Sequence, residues 1–272
     1  MSKLQSDKLF AGSIPRLYEA YLVPLIFEQY AEGLAQRLAT RKPARVLEVA
    51  AGTGVLTRCL AARLPADVAI VATDLNQPML DMASEIGVSR TVEWRQADVM
   101  QLPFETDSFD AVACQFGVMF FPDKSAAFAE IRRVLKPGGV LLFNVWDRIE
   151  ENEFAHAVSG ALELIFPEDP PYFMTRTPHG YYDIEIIQRD LRNAGFIAAP
   201  VIETMAARSI ADSASIPALA YCQGTPLRNE IEARNNALLG QVTEAAENAI
   251  VARFGRGRVD GKIQAHIIEV EN

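Results

Sequence analysis

Ile14, Leu17, Tyr18, Tyr21, Leu22 and Leu25 recur at three- and four-residue spacing, which predicts an amphipathic helical region that Pro24 should kink or split. From Ala44 the pattern changes to short β-branched runs alternating with helical segments. Strands are predicted at Arg45–Ala50, Val68–Asp74, Thr91–Gln96, Phe109–Gln115 and Val140–Trp146. Between them, Thr53–Leu64 and Ser125–Lys136 read as helices, the second with Phe128, Ile131 and Leu135 on one face. Strand, helix, strand repetition implies a parallel sheet. Right-handed crossovers then leave helices on both faces, giving a three-layer α/β sandwich through about Asp147.

Beyond that point the pattern loosens. Glu150–Tyr182 interleaves Pro167, Pro170, Pro171 and Pro178 with aromatic residues and reads as a helix followed by an ordered loop, an insertion in the sheet pattern. Tyr182–Ala194 should be a helix stopped by Gly195, and Phe196–Ala206 a further strand. Pro226 should open one long helix over Leu227–Phe254. Lys262–Val270 alternates apolar and polar residues as an edge strand would.

Composition narrows the function classes. The 272 residues are 50% hydrophobic and 22% charged, an ordinary globular balance that excludes collagen-like, coiled-coil and largely disordered chains. A net charge of −9 repels phosphate backbones and anionic membranes, so nucleic acid is not an expected partner. Met1–Phe10 has no apolar run behind a basic head, from which a cytoplasmic protein is expected. The most apolar stretch, Ala111–Pro122, is too short to span a bilayer, so no membrane insertion is expected. Cys59, Cys114 and Cys222 are far apart, as are His156, His179 and His266, and no metal site is expected.

In an open parallel sheet, ligands bind beyond the carboxyl ends of the strands. The first strand, ending in Glu48-Val49-Ala50, runs into Ala51-Gly52-Thr53-Gly54, a tight turn whose glycines let backbone approach a ligand closely. The second strand ends at Asp74, about 20 residues further on, where a carboxylate can accept both hydroxyl hydrogens of an adenosine ribose. These features alone leave nicotinamide, flavin and S-adenosylmethionine equally open. Three residues break the tie. The third glycine position of a dinucleotide fingerprint falls on Thr57; Glu48 adds negative field where a pyrophosphate would sit; and Asp98 ends the third strand where a carboxylate can accept from an adenine amino group.

At this point the chain resembles the class I S-adenosylmethionine-dependent methyltransferases, nearest to the ubiquinone-biosynthesis-type, small-molecule branch. The resemblance rests on Val46-Leu47-Glu48-Val49-Ala50-Ala51-Gly52-Thr53-Gly54, on Ala72-Thr73-Asp74-Leu75-Asn76-Gln77-Pro78-Met79-Leu80, and on Gln96-Ala97-Asp98-Val99 with Leu102-Pro103-Phe104. Ser108-Phe109-Asp110-Ala111-Val112, Phe120-Phe121-Pro122-Asp123 and Arg133-Val134-Leu135-Lys136-Pro137-Gly138-Gly139 follow in the family's order. The departure is Ala50, where the family usually has its first glycine, so that residue must keep a negative φ or the turn must shift.

The resemblance implies a three-layer Rossmann-like methyltransferase sandwich, with a mostly parallel seven-stranded sheet, an antiparallel edge strand, N-terminal helices and a lid-like insertion. It divides the chain into a helical cap (1–43), the cofactor-binding core (44–149), the insertion (150–181) and a C-terminal completion of the sheet (182–272). By resemblance, Glu48 and the Ala50, Ala51, Gly52 and Gly54 backbone border the methionine end, Asp74 holds the ribose, and Leu75 and Met79 flank adenine. Ala97, Asp98 and Val99 read the adenine edge, Gln115 accepts from the methionine ammonium, Gly117 and Met119 line the methyl route, and Tyr18 and Tyr21 close over the cofactor. Five of these have a plainer reading beside this one: Asp74 as a helix cap, Met79 and Met119 as core filler, Tyr18 and Tyr21 as packing. The insertion carries His156, His179, Tyr181 and Tyr182, none of which the sequence assigns as a base. Arg253-Phe254-Gly255-Arg256-Gly257-Arg258 reads as a helix end complementing its dipole, not as an RNA contact. The implied activity is methyl transfer to an O, N or C atom of a small-molecule acceptor. A nicotinamide-dependent oxidoreductase and a catalytically silent S-adenosylmethionine-binding protein are the alternatives.

Overall fold

Short apolar runs buried on both faces make the centre of a parallel sheet, because helices cover both sides of such a sheet. In the computed structural model, which describes residues 7–272, these runs are β1 (Arg45–Val49), β2 (Ala69–Asp74) and β4 (Phe109–Gln115), each largely buried. They join β3 (Glu93–Gln96), β5 (Leu135–Trp146), β6 (Val201–Ala211) and β7 (Val259–Glu271) in one seven-stranded sheet of order β3-β2-β1-β4-β5-β7-β6. The pairs β1–β2, β1–β4, β2–β3 and β4–β5 are parallel. Methionine 1 to Ser6, the start of the expected helical cap, lie outside the described residues.

The far side of the sheet is antiparallel. The Asn272 amide bonds the Gly139 carbonyl (2.9 Å) while the Asp147 amide bonds that of Gln264 (3.0 Å), so β7 runs against β5. Thr204 meets His266 and Arg208 meets Asp260, so β6 is antiparallel to β7 as well. The segment Lys262–Val270, expected at the edge, is therefore an inner strand, and β6 is the edge. Its alternation is interrupted in the middle of β7. Ala265 to Ile268 are all buried, as in a strand covered on both faces.

The chain packs as two compact units, one of residues 28–145, 181–205 and 266–272, the other of the residues up to 27 with 146–180 and 206–265. In the first unit, helices Glu28–Thr40 and Val55–Arg63 pack on each other, as do Lys124–Val134 and Ile184–Asn193. The chain leaves β1 for β2 and β4 for β5 in opposite directions along the sheet, so right-handed crossovers put their helices on opposite faces. Asp123 caps the helix it precedes by accepting the Ala126 amide (2.9 Å), and Asp183 caps the next by accepting those of Glu185 and Ile186. Gly195 (φ +93°) closes that helix: its amide bonds the Arg192 carbonyl and the Phe196 amide bonds that of Leu191, the paired bonds of a Schellman turn. Phe196 is thus committed to the helix end and buried, and the strand expected from it starts only at Val201, after Pro200.

In the second unit, the N-terminal helical region is a short α-turn (Ile14–Leu17) followed by a π-helical stretch over Tyr18–Phe27. Pro24 lies inside that stretch, so the helix accommodates proline by widening its turns. The insertion holds a helix at Glu153–Ile165 and a single turn at Phe173–Arg176. Two arginines pin its loop: Arg234 donates to the Asp169 and Pro170 carbonyls, and Arg176 bridges Asp7 and Glu230. The single helix expected over Leu227–Phe254 is two, Leu227–Asn235 and Leu239–Phe254. Asn235 is extended and its side chain accepts the Ala237 amide, the local competition that makes asparagine a poor interior helix residue. Among the described residues no helix is long and apolar enough to cross a membrane.

Candidate functional site

The order of β1 and β4 in the sheet marks where the topology reverses, and the loops at the carboxyl ends of β1, β2, β3 and β4 all belong to the first unit. The loop after β1 has the tightest backbone. Ala50, Gly52 and Gly54 have φ of +55°, +58° and +83°. The sequence expectation for Ala50, a negative φ or a shifted turn, is corrected: the alanine takes the left-handed conformation itself. That costs about 1–2 kcal/mol, a strain the surrounding bonds must hold in place. The Ala51 amide bonds the Thr73 carbonyl (2.9 Å), the Gly54 amide bonds that of Ala51 (2.9 Å), and the Gly52 amide bonds Asp74 Oδ2 (2.8 Å). Gly54 is required twice over, by its φ and because a Cβ would lie 2.9 Å from the Trp94 ring.

Asp74 ends β2 with 8% of its surface exposed. Besides Gly52 it accepts the Asn76 amide on Oδ1 (2.8 Å), so one carboxylate ties the β1 turn to the start of helix Gln77–Ile86. Burial pushes its pKa up from the usual carboxylate range, against the pull of these amides. Its carbonyl accepts the Ala97 amide (3.0 Å), which brings Ala97, Asp98 and Val99 alongside. Asp98 is exposed, and its Oδ1 accepts the Met100 amide (2.9 Å). Leu75 is 43% exposed, whereas Met79 is buried in the helix face.

The fourth strand supplies the last side. Gln115 pairs with Asn144 of β5, and the chain then turns through Phe116 (φ +49°), whose amide bonds Asn144 Oδ1 (2.9 Å). Gly117 follows, packed so closely on Ala50 that a Cβ would lie 2.5 Å from the alanine's. Met119 is buried, and Lys124 holds its loop by donating to the Met119 and Phe121 carbonyls. Beneath the β1 turn lies Glu48, 1% exposed, with Thr57 Oγ1 donating to its Oε2 (2.6 Å). Burial raises its pKa to about 8.

The structure thus gathers the residues expected from Glu48 to Met119 around one set of strand ends. Tyr18 and Tyr21 fall in the other unit, where Tyr18 stacks on Phe27 (5.1 Å). There too lies His179, 4% exposed, whose Nδ1 is 2.8 Å from the Asp147 carbonyl. That acceptor puts the ring proton on Nδ1, and burial lowers the pKa to about 4, so the ring is neutral. His156 is exposed. Tyr181, in the first unit, donates to Asp190 (3.0 Å), and Tyr182 is exposed. Sequence reasoning missed Asn144, Phe116 and the Trp94 contact. Asn144 was findable as the one polar residue inside the apolar run Val140–Trp146.

Residues 47–143 match the family model of a methyltransferase domain. Over those residues the chain is similar to methyltransferase domains. The chain is 35% identical over 130 residues to the ubiquinone/menaquinone biosynthesis C-methyltransferase UbiE of Idiomarina loihiensis, covering 46% of this chain and 49% of that relative. It is 35% identical over 164 residues to the demethylmenaquinone methyltransferase of Deinococcus radiodurans, covering 59% and 64%. The chain therefore spans less than two thirds of the length of these relatives. Among solved structures, the YcgJ protein of Bacillus subtilis superposes with a TM-score of 0.56 at 20% identity, covering 90% of this chain and 98% of that one, a likeness of fold.

Proposed function

We propose that this protein transfers a methyl group from S-adenosylmethionine to an O, N or C atom of a small-molecule acceptor. The observation that carries this reading is how the β1 turn is used. A dinucleotide's pyrophosphate needs free amides and no competing negative charge at the helix start. Here the Gly52 amide is already engaged by Asp74 and so is not free for a phosphate, and Glu48 beneath the turn is an acid whose ionised form a cationic ligand would stabilise and a dianion would not.

The residues fit an adenosyl ligand in their donor set. Asp74 supplies acceptors for ribose hydroxyls; Leu75 and Met79 offer apolar surface to adenine; Asp98 and the Val99 amide supply one acceptor and one donor for its edge. Thr53 Oγ1, buried without a partner among the described residues, is a hydroxyl for which the turn has no use of its own. The Gln115 carbonyl is the acceptor for the ligand's ammonium, with Gly117 and Met119 beyond it.

When bound, S-adenosylmethionine supplies an electrophilic methyl on a sulfonium. The protein's part is then to hold that group in line with the attacking atom and to exclude water. No side chain is assigned as a base. The relatives named for ubiquinone and menaquinone biosynthesis make phenolic and hydroquinone rings the first acceptors to screen.

The test is calorimetric titration with S-adenosylmethionine, S-adenosylhomocysteine and NAD, on the native protein and on Asp74→Ala. Binding of both adenosyl ligands, weakened at least tenfold in the variant, supports the reading. Binding of NAD in their place overturns it. Ligand binding with no turnover across the acceptor screen would leave a cofactor-binding protein without transferase activity.

A further inference from the structure

Glu48 is an acid in an unusual place. It sits inside β1 between β2 and β4, is 1% exposed, and among the described residues makes one side-chain hydrogen bond, from the Thr57 hydroxyl (2.6 Å). Among the described residues no lysine, arginine or histidine pairs with it. Burial is what disfavours a charge there, and the groups around it pull in both directions. Asp74 on β2 is a second acid, and Cys59 on helix Val55–Arg63 and Cys114 on β4 are thiols whose own pKa values rise partly because of Glu48. Arg58 favours the charge through space without bonding it, its Nη1 being held by the Thr53 carbonyl (2.7 Å). A carboxylate buried with one hydroxyl donor and no bonded cation is unstable relative to its protonated form.

Resting on the cofactor reading above, we infer that the Glu48–Thr57 pair makes binding of the cofactor's cationic end proton-linked. Glu48 is neutral when nothing is bound and ionises as the ligand's ammonium enters, its proton passing to solvent. The balance is simple: a carboxylic acid and an ammonium ligand become a carboxylate, a bound ammonium and one released proton. Thr57 is the positioning residue, since its hydroxyl is the donor that the carboxylate keeps. The pattern places this hydroxyl where a dinucleotide fold would have glycine or alanine, which could not serve. A pKa near 8 for Glu48 agrees with this and puts the linkage in the neutral range.

The sign follows from linkage. Below the free protein's Glu48 pKa, ligand affinity rises close to tenfold per pH unit as the proton to be expelled becomes easier to lose. The rise stops near pH 8, where the acid is already ionised and the ligand's own amine begins to deprotonate.

The experiment is calorimetry of S-adenosylhomocysteine binding at pH 6.5–7.5 in buffers of different ionisation enthalpy. It uses the native protein, Glu48→Gln, which copies the shape of the protonated acid, and Thr57→Val, with Thr57→Ser as the conservative control. The native protein should release close to one proton per ligand. Glu48→Gln should release none and show flat affinity over this range. Thr57→Val should bind less tightly with its pH limb moved upward, and Thr57→Ser should restore both. An infrared difference spectrum should lose a protonated-carboxyl band on binding, absent from Glu48→Gln. Binding without proton release, or equal release from the native protein and Glu48→Gln, overturns the inference alone. No binding of either adenosyl ligand overturns the cofactor reading and this inference with it.

Discussion

The contact between Ala50 and Gly117 joins the loops after β1 and β4, and it can be weighed by a mutant cycle. Gly117 has φ −99° and ψ −34°, a backbone any residue accepts, so Gly117→Ala meets no conformational penalty. Its cost is steric: the new methyl would lie 2.5 Å from Ala50 Cβ and 2.7 Å from the buried Cys114 Sγ. Overpacking of that kind costs about 1–3 kcal/mol, and with two opposing atoms inside the sheet unit about 2 kcal/mol is expected. Ala50→Gly acts in the other direction. It relieves about 1–2 kcal/mol of left-handed strain and gives back about 0.4–1 kcal/mol through the more flexible unfolded chain. The single variant should be neutral or slightly more stable. In the double variant the methyl at 117 faces only the thiol, so its cost should fall, leaving a coupling of about 1 kcal/mol. Urea denaturation of all four proteins, compared at equal m-values, measures each corner of the cycle. Costs that add within about 0.3 kcal/mol would refute the contact as the reason for glycine at 117.

Three further expectations are independent of that cycle. Arg133 donates to the Phe104 and Leu102 carbonyls and to Glu130, which in turn accepts the Leu102 amide, so Arg133→Lys should loosen the 102–104 loop by about 1–2 kcal/mol because an ammonium lacks the planar fork; hydrogen exchange of that loop matching the native protein would refute it. Arg176 is the cation between buried Asp7 and Glu230, so Arg176→Met should destabilise by about 2–3 kcal/mol, and Asp7→Asn by clearly less, in urea melts. Glu48 holds a proton in the folded chain, with a pKa of about 8 against an ordinary 4.5, so the native protein's stability should fall as pH rises from about 5 to about 8. Asp74, also raised, adds to that fall. Glu48→Gln should remove the larger part of the slope, and identical slopes would refute the burial argument.

The parallel half of the sheet was legible because each of its inner strands is an apolar run and each run ends in a turn or cap signal. The carboxyl ends of its strands were therefore placed within a residue, from Val49 to Trp146, whereas β5 begins at Leu135, inside the expected helix, and not at Val140. What was misplaced has a common physical cause: a side chain or turn that satisfied the backbone locally in a way periodicity does not register. Phe196 and Gly195 close a helix, so the following strand starts late. Asn235 caps the residues after it, so one helix becomes two. Pro24 fits a widened helix rather than a break. The half-alternating pattern of β7 came from partial cover along an inner strand, and pairing partners far away in the chain decide that.

At the strand ends the residues that matched a pattern were the easier ones, and those that departed from it carry the physics particular to this chain. Ala50 stands where a glycine is usual, and the structure keeps it in a left-handed turn by tying Ala51 and Gly52 to β2 and by leaving position 117 without a side chain. Thr57 stands where a dinucleotide site would have a small apolar residue, and its hydroxyl reaches down to the one buried acid beneath the turn. Neither function could be read from the residue alone, because each depends on an atom contributed by another strand: Gly117 after β4 for the first, Glu48 within β1 for the second. A motif fixes where a ligand's backbone contacts lie. The substitutions within it, once their partners are known, set the charge the site can hold, and under the proposed function both buried acids, Glu48 and Asp74, would suit a ligand that arrives with positive charge better than one that arrives with phosphate.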